Sequence, residues 1–253
     1  MNKGLYLQNE PQQITPSHMG VPSWTGLNLP YTLYHVPFSF QPFDPSKISQ
    51  TMQAIGRMNN FMLGNKISNI CIHLSGHKLQ RQVIKDSIQR CLTAFDEKII
   101  LHFEIIPPYK CSGKIKADAL EEADIILQDF ASNPRVKYIL DTAHAYAYGM
   151  SVSEMSNLVL KMSDKIDYIH FNGNQKPPFQ PDAHARFFDY SLNRISGLEN
   201  FLFNLSSNAK KDYVLICEVT NACGPAVPYD VWKQKTECYR NCRIVDYNNS
   251  LTL

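Results

Sequence analysis

The sequence predicts a parallel β/α barrel, and three observations carry that prediction. Short apolar, β-branched runs alternate with longer amphipathic stretches from residue 31 onward, the pattern of successive βαβ units. Imidazoles and carboxylates stand at or just beyond the ends of these runs: His35, His73, Glu104, Asp141, His144, His170, Asp182, His184 and Glu218. No glycine-rich phosphate loop follows the first run, which weighs against an open dinucleotide-binding sheet. Barrel strands all end on one face, so residues delivered one or two at a time by successive strands converge there.

Taken in order, GLYLQN (4–9) reads as one possible strand. EPQQITPSHMGVPSWTGLNLP, rich in Pro, Gly, Ser and Thr, reads as loop. The strand-like runs that follow are YTLYH (31–35), ISNICIHL (67–74), KIILHFEI (98–105), VKYILDT (136–142), IDYIHFN (166–172) and YVLICEVT (213–220). Between them lie stretches of helical period. DPSKISQTMQAIGRMNNFML opens with an Asp cap and a proline in the first turn. HKLQRQVIKDSIQRCLTAFD, KADALEEADIILQDFA, SVSEMSNLVLKMSDK and ISGLENFLFNLSSNAKK repeat the scheme, and YDVWKQKTECYRNC (229–242) reads as a closing helix. About seven strands are recognisable where a full ring takes about eight. The expectation is an α/β fold, a TIM-type parallel barrel incomplete or irregular at its N-terminus. It occupies one domain over 1–253, with 1–30 as an irregular segment holding one possible strand.

Composition bounds the function. With 253 residues, 44% hydrophobic and 19% charged, the chain can bury the core of one barrel-sized domain. No stretch approaches the roughly 20 apolar residues of a membrane span, and MNKGLYLQNEPQQ lacks the apolar segment of a secretory signal. A soluble, intracellular protein is expected. The net charge of +2 neither demands nor excludes nucleic acid. Seven cysteines, with Cys71 and Cys217 inside apolar runs, read as reduced and partly buried thiols. The spacing of Cys223, Cys238 and Cys242 matches no common zinc pattern.

The strand-end residues carry the chemistry. Side chains alternate along a strand, so Asp182 and His184 share a face if locally extended and can reach one ion. Glu104 and Glu218 are flanked by Ile, Leu, Phe and Val, where an ionised carboxylate is costly unless paired or metal-bound. Carboxylate oxygen with imidazole nitrogen suits zinc, manganese or iron. His102 shares a face with Glu104 and is read as a satisfied core or supporting histidine.

These segments, in order, resemble a known family. ILDTAHAYAYGM is similar to the Asp-Thr-Cys-His-Ala-x-x-x-Gly signature of the endonuclease IV family of apurinic/apyrimidinic endonucleases. IHFNGNQKPPFQPDAH resembles that family's His-Leu-Asn segment followed by Asp-Arg-His. YHVPF, CIHLSGH, HFEI and CEVTN resemble its remaining ligand-bearing segments, over about residues 31–235. The resemblance implies three zinc ions, with manganese an option at one site. His35, His73 and Glu104 would hold the first, Glu104 bridging to a second on Asp141, His170 and Glu218. His144, Asp182 and His184 would hold the third. It implies that Glu104, Glu218 and Asp141 are the catalytic carboxylates, and that a bridged pair lowers the pKa of a water beside the scissile phosphorus. The implied partner is double-stranded DNA containing abasic sites, bound by a monomer.

The DNA-facing rim departs from the family pattern. Gly173 stands for an aspartate, Ala183 for an arginine, Phe38 for a tyrosine and Pro11 for an arginine. Lost arginines weaken phosphate binding through lost charge neutralisation. Phe38 and Arg186 are the candidate DNA contacts. The competing readings are a metal-dependent sugar isomerase or epimerase of the same barrel superfamily, with fewer ions, and a non-cleaving DNA-binding relative.

Overall fold

The structure, a computed structural model, describes residues 12–14, 32–36, 40, 42–74, 81–105, 115–174, 184–185, 195–218 and 242–246. Eight parallel strands form one sheet in chain order: β1 (Gln12–Ile14), β2 (Thr32–His35), β3 (Asn69–Leu74), β4 (Ile100–Ile105), β5 (Val136–Asp141), β6 (Tyr168–His170), β9 (Tyr213–Cys217) and β10 (Cys242–Asp246). A separate antiparallel pair, β7 (Gly173–Asn174) and β8 (His184–Ala185), lies between β6 and β9 in sequence. Helices α1 (Ile48–Gly64), α2 (Arg81–Ala94), α3 (Ile115–Gln128), α4 (Thr142–Ala147), α5 (Val152–Lys161) and α6 (Glu199–Asn208) fill the crossovers. This is an incomplete barrel of TIM type: among the described residues no ladder joins β10 back to β1.

The helices start where the sequence supplies caps. The Asp44 carboxylate accepts from the Ser46 N–H at 2.9 Å ahead of the 3-10 turn Pro45–Lys47, which leads into α1. Ser151 and Glu154 form a reciprocal capping box on α5. The buried residues of α1 (Thr51, Ile55, Met58 and Met62) recur at helical spacing and face the sheet.

Strand alternation sorts the core into two clusters. The larger packs helices against the outer face of the sheet and holds Tyr34, Ile70, Ile72, Leu101, Phe103 and Leu140. The smaller consists of Leu33, Cys71, Ile139, Tyr168 and Ile216, with Val214 packed against it. Its members occupy the alternate strand positions, which turn to the inner face. Two residues beyond these five stand His35, His73, Asp141, His170 and Glu218. The inner cluster is therefore the floor, and the polar residues are the next layer toward the C-terminal ends of the strands.

Loops at the opposite end are tied down by two cations. The Lys165 ammonium, 7% exposed, donates to the carbonyls of Phe130, Asn133 and Val136 at 2.7, 2.8 and 3.3 Å. Arg135 donates to the carbonyls of Leu92, Phe95, Asp96 and Ile99 at 2.8 to 3.2 Å.

Two readings of the termini change. Gln12–Ile14, inside the segment expected to be loop, pairs in parallel with Thr32–Tyr34; a three-residue strand in polar sequence has no alternation to betray it. The run GLYLQN lies outside the described residues. At the other end Cys242, expected to close a helix, opens β10, which pairs residue for residue with Tyr213–Cys217. The rest of the expected closing helix lies outside the described residues. No helix among the described residues is long and apolar enough to cross a membrane.

Candidate metal centre

Six adjacent strand ends bring their polar residues together. Ladder register puts His73 opposite Glu104 and Asp141 opposite His170, so neighbouring strands present these side chains at the same height. Glu104 sits at the middle, with no solvent exposure. Its Oε2 lies 3.6 Å from His35 Nε2 and 3.5 Å from His73 Nε2. Its Oε1 lies 3.2 Å from His144 Nδ1 and 3.1 Å from His170 Nδ1. His170 Nδ1 is also 3.1 Å from Glu218 Oε2, and His35 Nε2 is 3.7 Å from Glu218 Oε1. On the far side His184 Nε2 lies 3.5 Å from Asp141 Oδ2.

Three groups have ligand atoms that all lie within 4.8 Å of one another: His35, Cys71, Glu104 and His170; Glu104, Asp141, His170 and Glu218; and Asp141, His144 and His184. Glu104 joins the first two and Asp141 the last two. Seven of the expected ligands fall in these groups, with four differences from the expected partition. His73 belongs to none of the three, and His170 enters the first as well as the second. Asp141 joins His144 and His184 as well as His170 and Glu218, and Cys71 enters a group. Asp182, together with Phe38 and Arg186, lies outside the described residues.

The donor set fits cations. Glu104 Oε1 accepts no well-directed hydrogen bond although two imidazole nitrogens crowd it, as happens when lone pairs rather than N–H bonds converge on a common point. The imidazole tautomers agree. His35 Nδ1 faces the Val36 carbonyl at 2.9 Å and His184 Nδ1 faces the Glu218 carbonyl at 3.1 Å. A carbonyl can only accept, so each Nδ1 carries the proton and each Nε2 turns a lone pair into the site, the arrangement typical of metal-ligating histidines. His35 and His73 then bring their Nε2 atoms within 3.0 Å of each other.

Protonation follows the same crowding. Burial would raise Glu104, but the charge of His170 and the close approach of the His144, His170 and His35 imidazoles hold its carboxyl well below the usual range. For His170 burial pulls downward, yet the Glu104 and Glu218 carboxylates outweigh it and lift the imidazole to about 9. Burial and the adjacent His35 push His73 down to about 3.

A supporting layer holds the carboxylates. Asp141 caps α4, its Oδ1 accepting from the His144 N–H at 2.8 Å. Its Oδ2 accepts from Asn172 Nδ2 at 2.6 Å. Asn172, fully buried, also accepts from the Glu218 N–H at 2.7 Å, and its backbone exchanges hydrogen bonds with the Thr142 hydroxyl at 2.6 and 2.9 Å. His102, expected to be satisfied, is so on one nitrogen: Nε2 lies 3.1 Å from Asn69 Oδ1, while Nδ1 has no hydrogen-bond partner. Asn172 and Cys71 are site residues that the sequence does not announce. Alternation was the available signal, since each lies two residues from a ligand on the same strand or its extension.

Fold and site together define an α/β barrel that gathers imidazoles and carboxylates at its strand ends. A family model described as the xylose isomerase-like TIM barrel matches residues 47–242, and the chain belongs to that family. Among solved structures it is similar to endonuclease IV from Thermus thermophilus, with TM-score 0.59 and 17% identity over 89% of this chain and 82% of that one. It is similar also to a xylose isomerase domain protein from Planctomyces limnophilus, with TM-score 0.57 and 13% identity over 93% and 87%. AsfvAP:AG is matched with TM-score 0.49 and 14% identity over 67% of this chain, which spans 57% of that one. No curated protein matches the sequence.

Proposed function

We propose that this chain is a zinc-dependent apurinic/apyrimidinic endonuclease of base-excision repair, a hydrolase that cuts the phosphodiester 5′ to an abasic site in double-stranded DNA. The observation that supports the reading is the sharing of carboxylates: Glu104 belongs to two ligand groups and Asp141 to two, so three clusters of donors adjoin one another. The ordered motifs of the endonuclease IV family and the fold shared with one such enzyme support it. His35, His73 and Glu104 would hold one ion; Glu104, Asp141, His170 and Glu218 a second; His144, His184 and Asp182 a third, with Asp141 at its edge. Such ions supply Lewis acidity that lowers the pKa of a water toward neutrality and offsets charge on the leaving oxygen.

The remaining work falls to the chain's own residues. Glu104, Glu218 and Asp141 supply the negative charge that gathers the cations, and Asn172 fixes the last two against each other. Val36 and Glu218 carbonyls fix the histidine tautomers. Phe38 and Arg186 are assigned to the DNA-facing rim. An abasic nucleotide is easier to extract from the duplex because no base remains to stack.

Duplex DNA carrying one abasic-site analogue should be nicked on the 5′ side by the zinc-loaded chain, and prolonged chelation should abolish the cut. Fully loaded protein that leaves this substrate intact overturns the assignment. The family description and the Planctomyces limnophilus neighbour favour a second reading, a sugar isomerase or epimerase. Metal content separates them: three ions per chain support the nuclease, one or two the isomerase.

A further inference from the structure

We propose that Cys71 is a further ligand of the ion held by His35 and Glu104, giving that position a sulfur donor. The inference rests on the metal-centre reading above and adds to its ligands a residue of a different chemical kind. Cys71 lies on β3 two residues before His73, so both side chains point to the inner face of the sheet. It is fully buried and a free thiol. Its Sγ is 3.2 Å from Glu104 Oε2, the same oxygen that His35 and His73 approach at 3.6 and 3.5 Å. Sγ, a His35 nitrogen, a Glu104 oxygen and a His170 nitrogen all fall within 4.8 Å of one another.

The second, independent observation is the state of Glu104. The carboxylate is fully buried, and its Oε1 accepts no well-directed hydrogen bond even though Oε2 takes the thiol. A group so placed is unsatisfied until a cation arrives. A cation held there would lie within reach of both Oε2 and the Cys71 sulfur. On metal binding the S–H bond would break, its proton would pass to water, and a sulfur–metal bond would form. Zinc–sulfur bonds of about 2.3 Å and zinc–nitrogen bonds of about 2.0 Å are compatible with that spacing.

The consequence is selectivity. A site of His35, His170, Glu104 and Cys71 has two imidazoles, one carboxylate and one thiolate, a set that favours zinc over the oxygen-preferring manganese or magnesium. The other two groups contain only nitrogen and oxygen donors. One ion of the three therefore has a soft ligand and two do not.

The test uses the full chain, loaded first with zinc and then with cobalt(II). X-ray absorption at the zinc edge should show a sulfur shell in the wild type, and the cobalt form should show a near-ultraviolet thiolate-to-metal band. Both signals should be lost in Cys71→Ala and kept in Cys217→Ser, whose buried sulfur instead lies 3.0 Å from the Phe171 carbonyl. A wild-type protein that carries its full metal content without a sulfur shell overturns the proposal, and this needs no variant to fold. Persistence of the band in Cys71→Ala overturns it too, since another thiol would then be the donor. Metal content read on the same samples keeps the two readings apart. Three ions without sulfur remove Cys71 alone; a sulfur shell without incision of abasic DNA leaves Cys71 in place and removes the nuclease.

Discussion

At the residue scale the site is decided by which atoms are left over after hydrogen bonding. His35 and His184 give their Nδ1 protons to carbonyls, and their Nε2 atoms turn inward. Asn172 does the same service for carboxylates: it donates to Asp141 Oδ2 at 2.6 Å and accepts from the Glu218 backbone at 2.7 Å. It touches no imidazole among those contacts, so it acts by position. Asn172→Ala should weaken metal retention by roughly 10- to 100-fold, the usual effect of removing an outer partner of a ligand. Competition against a graded series of chelators measures this; unchanged retention would mean that packing alone holds the two carboxylates. Glu104 and Glu218 were legible in the sequence because a carboxylate inside an apolar run needs a reason. Asn172 and Cys71 were not, because a buried amide or thiol has many ordinary reasons to be where it is.

At the element scale the two ends of the strands do different jobs. The C-terminal ends carry the ligands, and the N-terminal ends are stapled by Lys165 and Arg135, each reaching several carbonyls of neighbouring loops. Barrels commonly divide function and stability in this way. Lys165→Met should therefore cost on the order of 3 kcal/mol, because buried carbonyls lose a charged donor. Calorimetry reads that loss. Metal content per folded chain should stay at the wild-type level, and a variant that melts normally but loses metal would contradict the division. The central strands were readable because their alternation is long: six residues in β3, β4 and β5. The three residues of β1 are too few for any periodicity, and only pairing with β2 makes them a strand.

For the whole molecule, eight parallel strands stand in chain order although the sequence displays about seven. Six of the expected runs are among them, and β1 and β10 are additions at the two ends; β10 is bonded along five residue pairs to β9, the strand that leads into Glu218. Removing the chain from Cys242 onward strips that ladder and leaves β9 an open edge, a template for association with other chains. The truncated protein should lose cooperative thermal unfolding, elute as larger species and retain less metal; a monomer melting as the full chain does would show β10 to be dispensable. Residue order alone sets the alternation of strands and helices, and with it which imidazoles and carboxylates end up on one face. It can do so because burial imposes a period of two on strands and 3.6 on helices, and both are written along the chain. The sharing of Glu104 and Asp141 between ligand groups, the entry of Cys71 and the place of β10 emerge only in the folded molecule. Those depend on register between strands far apart in the chain, and register is a property of the assembled sheet that no local period encodes.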